Sequence, residues 1–569
     1  MGLGLVACAA CAGMRNKPAE APAPQAFYTV TAEIALARHQ PRVAALQYAA
    51  AASQEADIGL LERATQVAIE SLQPSLAEKV AARWISVDPK SVDAHRAAAQ
   101  AALALHRIDQ AAGHYGIVLV NSPMGTDAEF AVLGTFLAGN DNIFGSRQLA
   151  DRLATSFPSS AAALRVQGLA ALRADDPAAA VLSLTAALAI PTASEQGDEA
   201  ARHELLHTRA RAQVLAGDAE SPLAEARERV EHEDLPANRL DYALLLMTAQ
   251  RDSAATQQLE ILARNSEYTP VALRLLSLIE FQQGHFDAAT ARFAELVRAG
   301  KYLDDAFYYL GLIAERHGDA EHALRLYAQV QGGENAVPAL LRATAILQTH
   351  GAAAAAEELL DRLIEDEPQR APEILAARAR IYADAGDLPR ASGVLQRGAV
   401  DYPDNVDIRY AQASMYEEQG RITDALSELT DLVHARPEDP AAMNALGYTL
   451  ADHSRELKRA RRLIESAHAA APKNAAILDS LGWVLFRQGR MAEAEVYLRA
   501  AYADDHGGDI AAHLGEVLWQ LGRPADAEHI WSEAGAADGD NRLLKATRQR
   551  FRAASPPAPA TRQQLPSVN

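Results

Sequence analysis

The chain reads as an all-α superhelical solenoid of about fifteen helix hairpins closed by a C-terminal capping helix. Three observations predict it. Glycine recurs at Gly284, Gly318, Gly351, Gly386, Gly420, Gly489 and Gly522, and the intervals 284 to 318 and 386 to 420 are each 34 residues. Five positions after each glycine stands an alanine: Ala289, Ala323, Ala356, Ala391, Ala425, Ala494 and Ala527. Four positions further on a large apolar side chain follows, at Phe293, Tyr327, Leu360, Leu395, Leu429, Leu498 and Trp531.

Each mark has a physical role. The glycine closes the turn between two short helices. The alanine lies where the helices cross, because only a small side chain lets the backbones approach, and the large residue sits one helical turn further along the same face. Pro368, Pro403, Pro437 and Pro472 stop the second helix, since proline has no N–H and restrains the residue before it. In the last three units the first helix carries Leu446-Gly447, Leu481-Gly482 and Leu514-Gly515, whose glycine permits a second close crossing. Alanine-rich stretches such as residues 352–356 favour packed helices over sheet. A ribbon of such units buries each apolar face only against its neighbour and offers a long groove with no enclosed chamber.

From the N-terminus onward, residues 1–8 end in Leu5-Val6-Ala7-Cys8, which resembles a bacterial lipobox, with Cys8 as the lipid acceptor. The stretch before Cys8 is short and lacks the basic region of a secretory signal, so the translational start is expected upstream of Met1. Residues 9–29, with Pro18, Pro22 and Pro24, read as a Pro/Ala tether. Residues 30–268 keep the repeat phase in degenerate form at Ala77, Ala111, Tyr115, Gly168, Ala180, Leu184 and Gly217. Residues 269–536 are regular repeats, and residues 537–552 form a polar cap rich in arginine, as an open solenoid end requires. Residues 553–569 read as a disordered tail.

A formal net charge of −20 repels phosphate backbones and argues against nucleic-acid binding. The two cysteines, Cys8 and Cys11, exclude a disulfide framework or a thiolate metal site in the repeats. The string His203-Glu204-Leu205-Leu206-His207 matches H-E-x-x-H, in which two histidines one turn apart hold zinc and the glutamate activates its water. A metalloprotease is the reading this string would support. In the repeat frame, His207 instead faces the groove and Leu206 fills the helix pair, so no metal, no cofactor and no catalytic residue is assigned and the chain is read as a non-enzyme.

The 34-residue period and the leucine-glycine pairs identify the chain as resembling the tetratricopeptide repeat (TPR) family over most of its length. The resemblance implies a groove walled by the first helix of each hairpin. In that phase the inward set is Asn444, Tyr448, Asp479, Trp483, Phe486, Glu516 and Trp519, with Phe281, Tyr308 and Tyr410 in comparable places upstream. Aromatic anchors among a few carboxylates make a wall that can hold protein segments.

Three stretches narrow the family: Asn444-Ala445-Leu446-Gly447-Tyr448-Thr449-Leu450-Ala451-Asp452, then Leu478-Asp479-Ser480-Leu481-Gly482-Trp483-Val484-Leu485-Phe486, then Ala511-Ala512-His513-Leu514-Gly515-Glu516-Val517-Leu518-Trp519. Their order resembles outer-membrane TPR lipoproteins, among them the adaptor of a periplasmic carboxyl-terminal processing protease. That resemblance implies a non-enzymatic scaffold lipid-anchored at the periplasmic face of the outer membrane. Its partners would be the protease and the peptidoglycan hydrolases presented to it, with no nucleic acid. A scaffold for polysaccharide export or envelope assembly is the alternative within the same class.

Overall fold

The computed structural model describes residues 24–190, 199–537 and 541–552, all helix and connecting turns. Cys8, most of the expected tether and the tail 553–569 lie outside the described residues. The first hairpins pair α1 (Gln25–Ala37) with α2 (Pro41–Gln54), α3 (Ile58–Glu70) with α4 (Pro74–Val87) and α5 (Val92–Ala104) with α6 (Ile108–Asn121). Next come α7 (Thr126–Ala138) and α8 (Ile143–Ser156), α9 (Ala161–Arg173) and α10 (Pro177–Ala189), and α11 (Glu199–Leu215) and α12 (Glu220–His232). The middle of the chain holds α13 (Pro236–Thr248) and α14 (Asp252–Leu262), α15 (Thr269–Gln282) and α16 (Phe286–Ala299), and α17 (Leu303–Arg316) and α18 (Ala320–Tyr327). There follow α19 (Ala336–Thr349) and α20 (Ala353–Asp366), α21 (Ala371–Asp384) and α22 (Leu388–Asp401), and α23 (Val406–Glu418) and α24 (Ile422–Ala435). The series ends with α25 (Pro440–Asp452) and α26 (Leu457–Ala470), α27 (Ala475–Arg487) and α28 (Met491–Asp504), α29 (Gly508–Gln520) and α30 (Pro524–Ala537), and the single helix α31 (Arg542–Arg552). These are fifteen hairpins and one terminal helix among the described residues.

Local chemistry sets these boundaries. Asp57, Ser91, Asn142, Asn405 and Asn474 each accept a hydrogen bond from the backbone N–H three residues on, satisfying a donor the helix leaves free. The second helices α20, α22, α24 and α26 end two residues before Pro368, Pro403, Pro437 and Pro472. All seven turn glycines adopt positive φ, between 73° and 84°. The crossing alanines after them are 0 % exposed, and the large residues that follow are buried with them. One feature differs from the sequence reading at the N-terminus: α1 begins at Gln25, inside the stretch 9–29 expected to be a tether. Ala32 and Ala35 of that helix pack into the core of the first two hairpins, which orders it back to that point.

The terminal helix is not uniformly polar. Leu544 and Phe551 are buried, and Phe551 stacks against Trp531 at 5.7 Å and lies 5.4 Å from Trp519. Arg542, Arg550 and Arg552 are exposed and Arg548 is half-buried against Glu528, so the cap is amphipathic and covers the apolar end of the last hairpin.

A second difference is larger. The expected ribbon is open along its length, but here the spiral returns on itself. Arg42 pairs with Asp401 at 2.6 Å, and Ser75 Oγ donates to Asp404 Oδ1 at 2.9 Å. Gln369 Nε2 donates to the Glu70 carbonyl at 2.6 Å, and Arg436 Nη2 to the Ala104 carbonyl at 2.8 Å. Phe144 packs against the C-terminal core, where a cleft of about 220 Å³ is walled by Arg147, Asp175, Pro472 and Lys473. These contacts join residues roughly three hundred positions apart through mostly polar groups, so the two turns touch without sharing a continuous core.

Candidate functional site

A concave cleft of about 550 Å³ opens near the C-terminal end of the spiral, walled by the first helices of four successive hairpins. From α23 come Tyr410, Ser414 and Glu417, from α25 Asn444 and Tyr448, from α27 Asp479 and Ser480, and from α29 Asp509 and His513. Asp505 and Gly507 at the turn into α29, and Asn541 before the terminal helix, complete its rim. The wall is built from first helices, as a stacked-hairpin geometry places it.

Tyr410 donates its hydroxyl to the Ala441 carbonyl, which fixes its ring on the wall. His513 is buried, and its Nδ1 donates to Asp479 at 2.9 Å while Nε2 lies 3.5 Å from the Tyr448 hydroxyl. Burial works against charge on this imidazole, but Asp479, with Asp452 and Asp509 further off, outweighs it and holds the His513 pKa above its ordinary value. Burial, reinforced by Asp452, Asp479, Asp509 and Glu417, pushes the Tyr448 phenol well above its ordinary range. Burial raises the Glu417 carboxyl as well, although His453 opposes it from 3.2 Å. Asn444 Oδ1 is buried without a hydrogen-bond partner. The wall is therefore rich in acceptors, and among the described residues it contains Glu417, Asp479, Asp505 and Asp509 but no lysine or arginine.

Four of the eight residues expected to face the groove meet in this cleft: Tyr410, Asn444, Tyr448 and Asp479. The other four do not. Trp483 is only 4 % exposed; its ring stacks on His513 at 4.1 Å and its Nε1 donates to Asp452 at 3.1 Å. Phe486 packs beside it with ring centroids 5.1 Å apart. Glu516 is paired with Arg550 of the terminal helix, and Trp519 stacks on Trp531 at 6.0 Å. Upstream, Phe281 packs on Phe286 and Tyr309, and Tyr308 lies edge-on to Tyr309 and close to Tyr327, so neither lines the cleft.

The displacement has one cause. On α25 the lining residues lie three and two before and one and two after Gly447; on α27 they lie six, three and two before Gly482; on α29, seven, six, five and two before Gly515. Each successive helix turns its N-terminal half further toward the cleft. A phase carried over unchanged from the leucine-glycine pairs therefore assigns Trp483 and Glu516 to the wall, whereas they fill the seams behind it. His513, Glu417 and Asp509 were missed for the same reason. The available signal was His513 itself, a polar residue set inside the apolar run Ile510-Ala511-Ala512-His513-Leu514.

The H-E-x-x-H string lies on α11. His203 Nε2 and His207 Nδ1 both approach Asp241 of α13, at 3.3 and 3.6 Å, while Glu204 is exposed. Burial lowers the His207 pKa despite Asp241. Among the described residues no group of three or more histidine, cysteine or acidic side chains is arranged to hold a metal ion. Leu205, rather than Leu206, packs into the adjoining core. No helix among the described residues is long and apolar enough to cross a membrane.

The family model for the tetratricopeptide repeat matches residues 274–336, 376–440, 410–475 and 445–509. A TPR repeat-containing protein of Pseudomonas aeruginosa is 30% identical over 494 residues, covering 86% of this chain and 82% of that one. Among solved structures, a thermophilic TPR protein of Thermus thermophilus aligns at 19% identity with a TM-score of 0.29, over 32% of this chain and 97% of that one. Yeast Tom70 aligns at 11% identity with a TM-score of 0.32, over 93% of this chain and 96% of that one.

Proposed function

The chain belongs to the tetratricopeptide-repeat proteins, and from that premise we propose that it is a non-catalytic adaptor of the bacterial envelope. Such repeats make protein-interaction scaffolds. In this reading, lipid on Cys8 holds the array at the periplasmic face of the outer membrane. The spiral binds a carboxyl-terminal processing protease and presents peptidoglycan hydrolases to it.

The observation that carries the proposal is the concave cleft assembled by α23, α25, α27 and α29, in which, among the described residues, no serine or cysteine stands against the buried His513. The second nitrogen of His513 faces Tyr448, and Ser480 Oγ donates instead to the Ala476 carbonyl at 2.9 Å. The resemblance of the three C-terminal stretches and of the lipobox-like start supports the finer assignment. Two modest contacts on one scaffold raise the effective concentration of protease around substrate without any chemistry by the scaffold.

Reconstitution tests it. Purified protease should cleave a purified cell-wall hydrolase about tenfold faster or more when the chain is added. An unchanged rate, with neither protein retained on the immobilised chain, would sink the adaptor reading. Cys8→Ser in cells should move the protein from the membrane to the soluble periplasmic fraction, and an unaltered membrane fraction would remove the anchor from the proposal.

A further inference from the structure

We infer that the C-terminal cleft is a receptor for a lysine or arginine side chain carried by an extended segment of a partner protein. This rests on the scaffold reading and says what chemistry the scaffold recognises.

The charge balance of the wall is the first argument. Two of its four carboxylates already have a cationic or titratable partner: Glu417 faces His453 and Asp479 faces His513. The other two accept their hydrogen bonds from neutral donors, and Asp509 lies further from His513 than Asp479 does. Asp505 Oδ1 accepts from the Gly507 N–H at 2.8 Å, and Asp509 Oδ1 accepts from Asn541 Nδ2 at 3.1 Å. Both stand at the start of α29, and among the described lining residues there is no lysine or arginine to offset them; Arg542, beside Asn541, is paired with Glu418. A concave wall of one sign focuses its field on the space it encloses.

Two independent features point to the same ligand. Asn444 contributes a buried acceptor without a partner, which asks for a hydrogen-bond donor inside the cleft. Tyr410 and Tyr448 line the cleft from the neighbouring first helices α23 and α25, and aromatic rings attract ammonium and guanidinium groups through their negative faces. Lysine and arginine are donor-only cations, so they satisfy carboxylates, amide oxygen and rings together. A carboxylate-ended peptide would be repelled by the same wall.

The test uses the full chain and two blocked peptides, Ala-Lys-Lys-Ala and its Nε-acetylated twin, titrated by tryptophan fluorescence. Trp483 stacks on His513 and reports on the cleft. The charged peptide should bind saturably and the acetylated one should not. Asp505→Asn with Asp509→Asn keeps both side-chain acceptors and the fold, and should weaken binding about tenfold or more. Glu295→Gln with Glu365→Gln, exposed on α16 and α20, removes the same charge elsewhere and should leave affinity unchanged. Equal affinity for the acetylated peptide, equal weakening by the control pair, or no saturable binding would overturn the proposal. Spermidine binding in preference to the peptide would overturn its assignment to a protein segment. Protease acceleration that survives the rim variants would sink the cation receptor alone, whereas peptide binding with no acceleration would sink the adaptor role alone.

Discussion

The two halves of the spiral make the same turn with different residues. From α15 onward every hairpin but α25–α26 closes on glycine at positive φ, whereas His39, Leu72, His106, Asp175 and Gln250 hold the same left-handed conformation in the first half, with φ between 54° and 57°. Positions 72 and 106, like 250 and 284, keep the 34-residue interval. A left-handed conformation costs a residue with a Cβ roughly 1–2 kcal/mol. The packing just beyond the turn is unchanged, for Ala44, Ala77, Ala111, Ala180 and Ala255 are as buried as their counterparts downstream. Burying a large apolar side chain such as Tyr115 or Leu259 stabilises by about 1.5–3 kcal/mol, enough to outweigh the strained turn. The crossing, not the glycine, holds the period. Ser454 shows the same inside the regular half: it takes the left-handed turn, and one extra residue, Glu456 at φ 42°, moves the crossing alanine to Ala460.

The largest expected effect tests the crossing directly. A Cβ on Gly515 would lie 1.9 Å from Trp531 Nε1, while one on Gly168 would lie 2.6 Å from the more adaptable Leu184. Gly515→Ala should cost about 3 kcal/mol and Gly168→Ala about 1–2 kcal/mol in urea denaturation. Equal costs would show that the two halves pack with the same tolerance. Exchanging turns comes next. Gly420→Ala should destabilise by about 1 kcal/mol, whereas Leu72→Gly and Gln250→Gly should stabilise by up to about 0.5 kcal/mol, because relief of strain is partly offset by a freer unfolded chain. A loss of stability in Leu72→Gly would mean that its side chain contributes more than its backbone costs.

The seam between the halves should respond more weakly. Asp404→Ala removes the acceptor for Ser75 and should cost about 0.5 kcal/mol, yet loosen the spiral enough to enlarge the radius of gyration in solution scattering. No change in size would assign the closure to apolar contacts such as Phe144 instead. The smallest effect concerns pH. His513 is faced by Asp479 on α27, by Tyr448 and Asp452 on α25 and by Asp509 on its own helix, and its pKa is raised in the folded chain. Its contribution is full below the unfolded value of about 6.5 and is lost as pH rises through the folded value. Stability should therefore decline gently above about pH 6.5, and Asp479→Asn should flatten that decline; an unaltered slope would remove the pair as its source.

Much of this architecture was legible in the residues because its contacts are short in sequence. Turn glycine, crossing alanine, large apolar partner and terminating proline all act within one hairpin and its neighbour, and Ala425 with Leu429 and Pro437 carries that information in a single line of sequence. The candidate site was legible only in part. Asn444 and Tyr448 could be placed on the wall, but Trp483 could not be told from a wall residue, since the same side chain at the same offset either faces the groove or fills a seam.

The all-helical class, the hairpin unit and the stop signals are written in the order of residues, since each follows from nearest-neighbour packing. That Arg42 meets Asp401, that His513 and Asp479 share a wall, and that Trp483 stands behind it became visible in the folded spiral alone. The reason is cumulative rotation. Each hairpin turns slightly on the last, and although that small angle is fixed locally, its sum over many repeats sets which faces converge and whether the spiral closes.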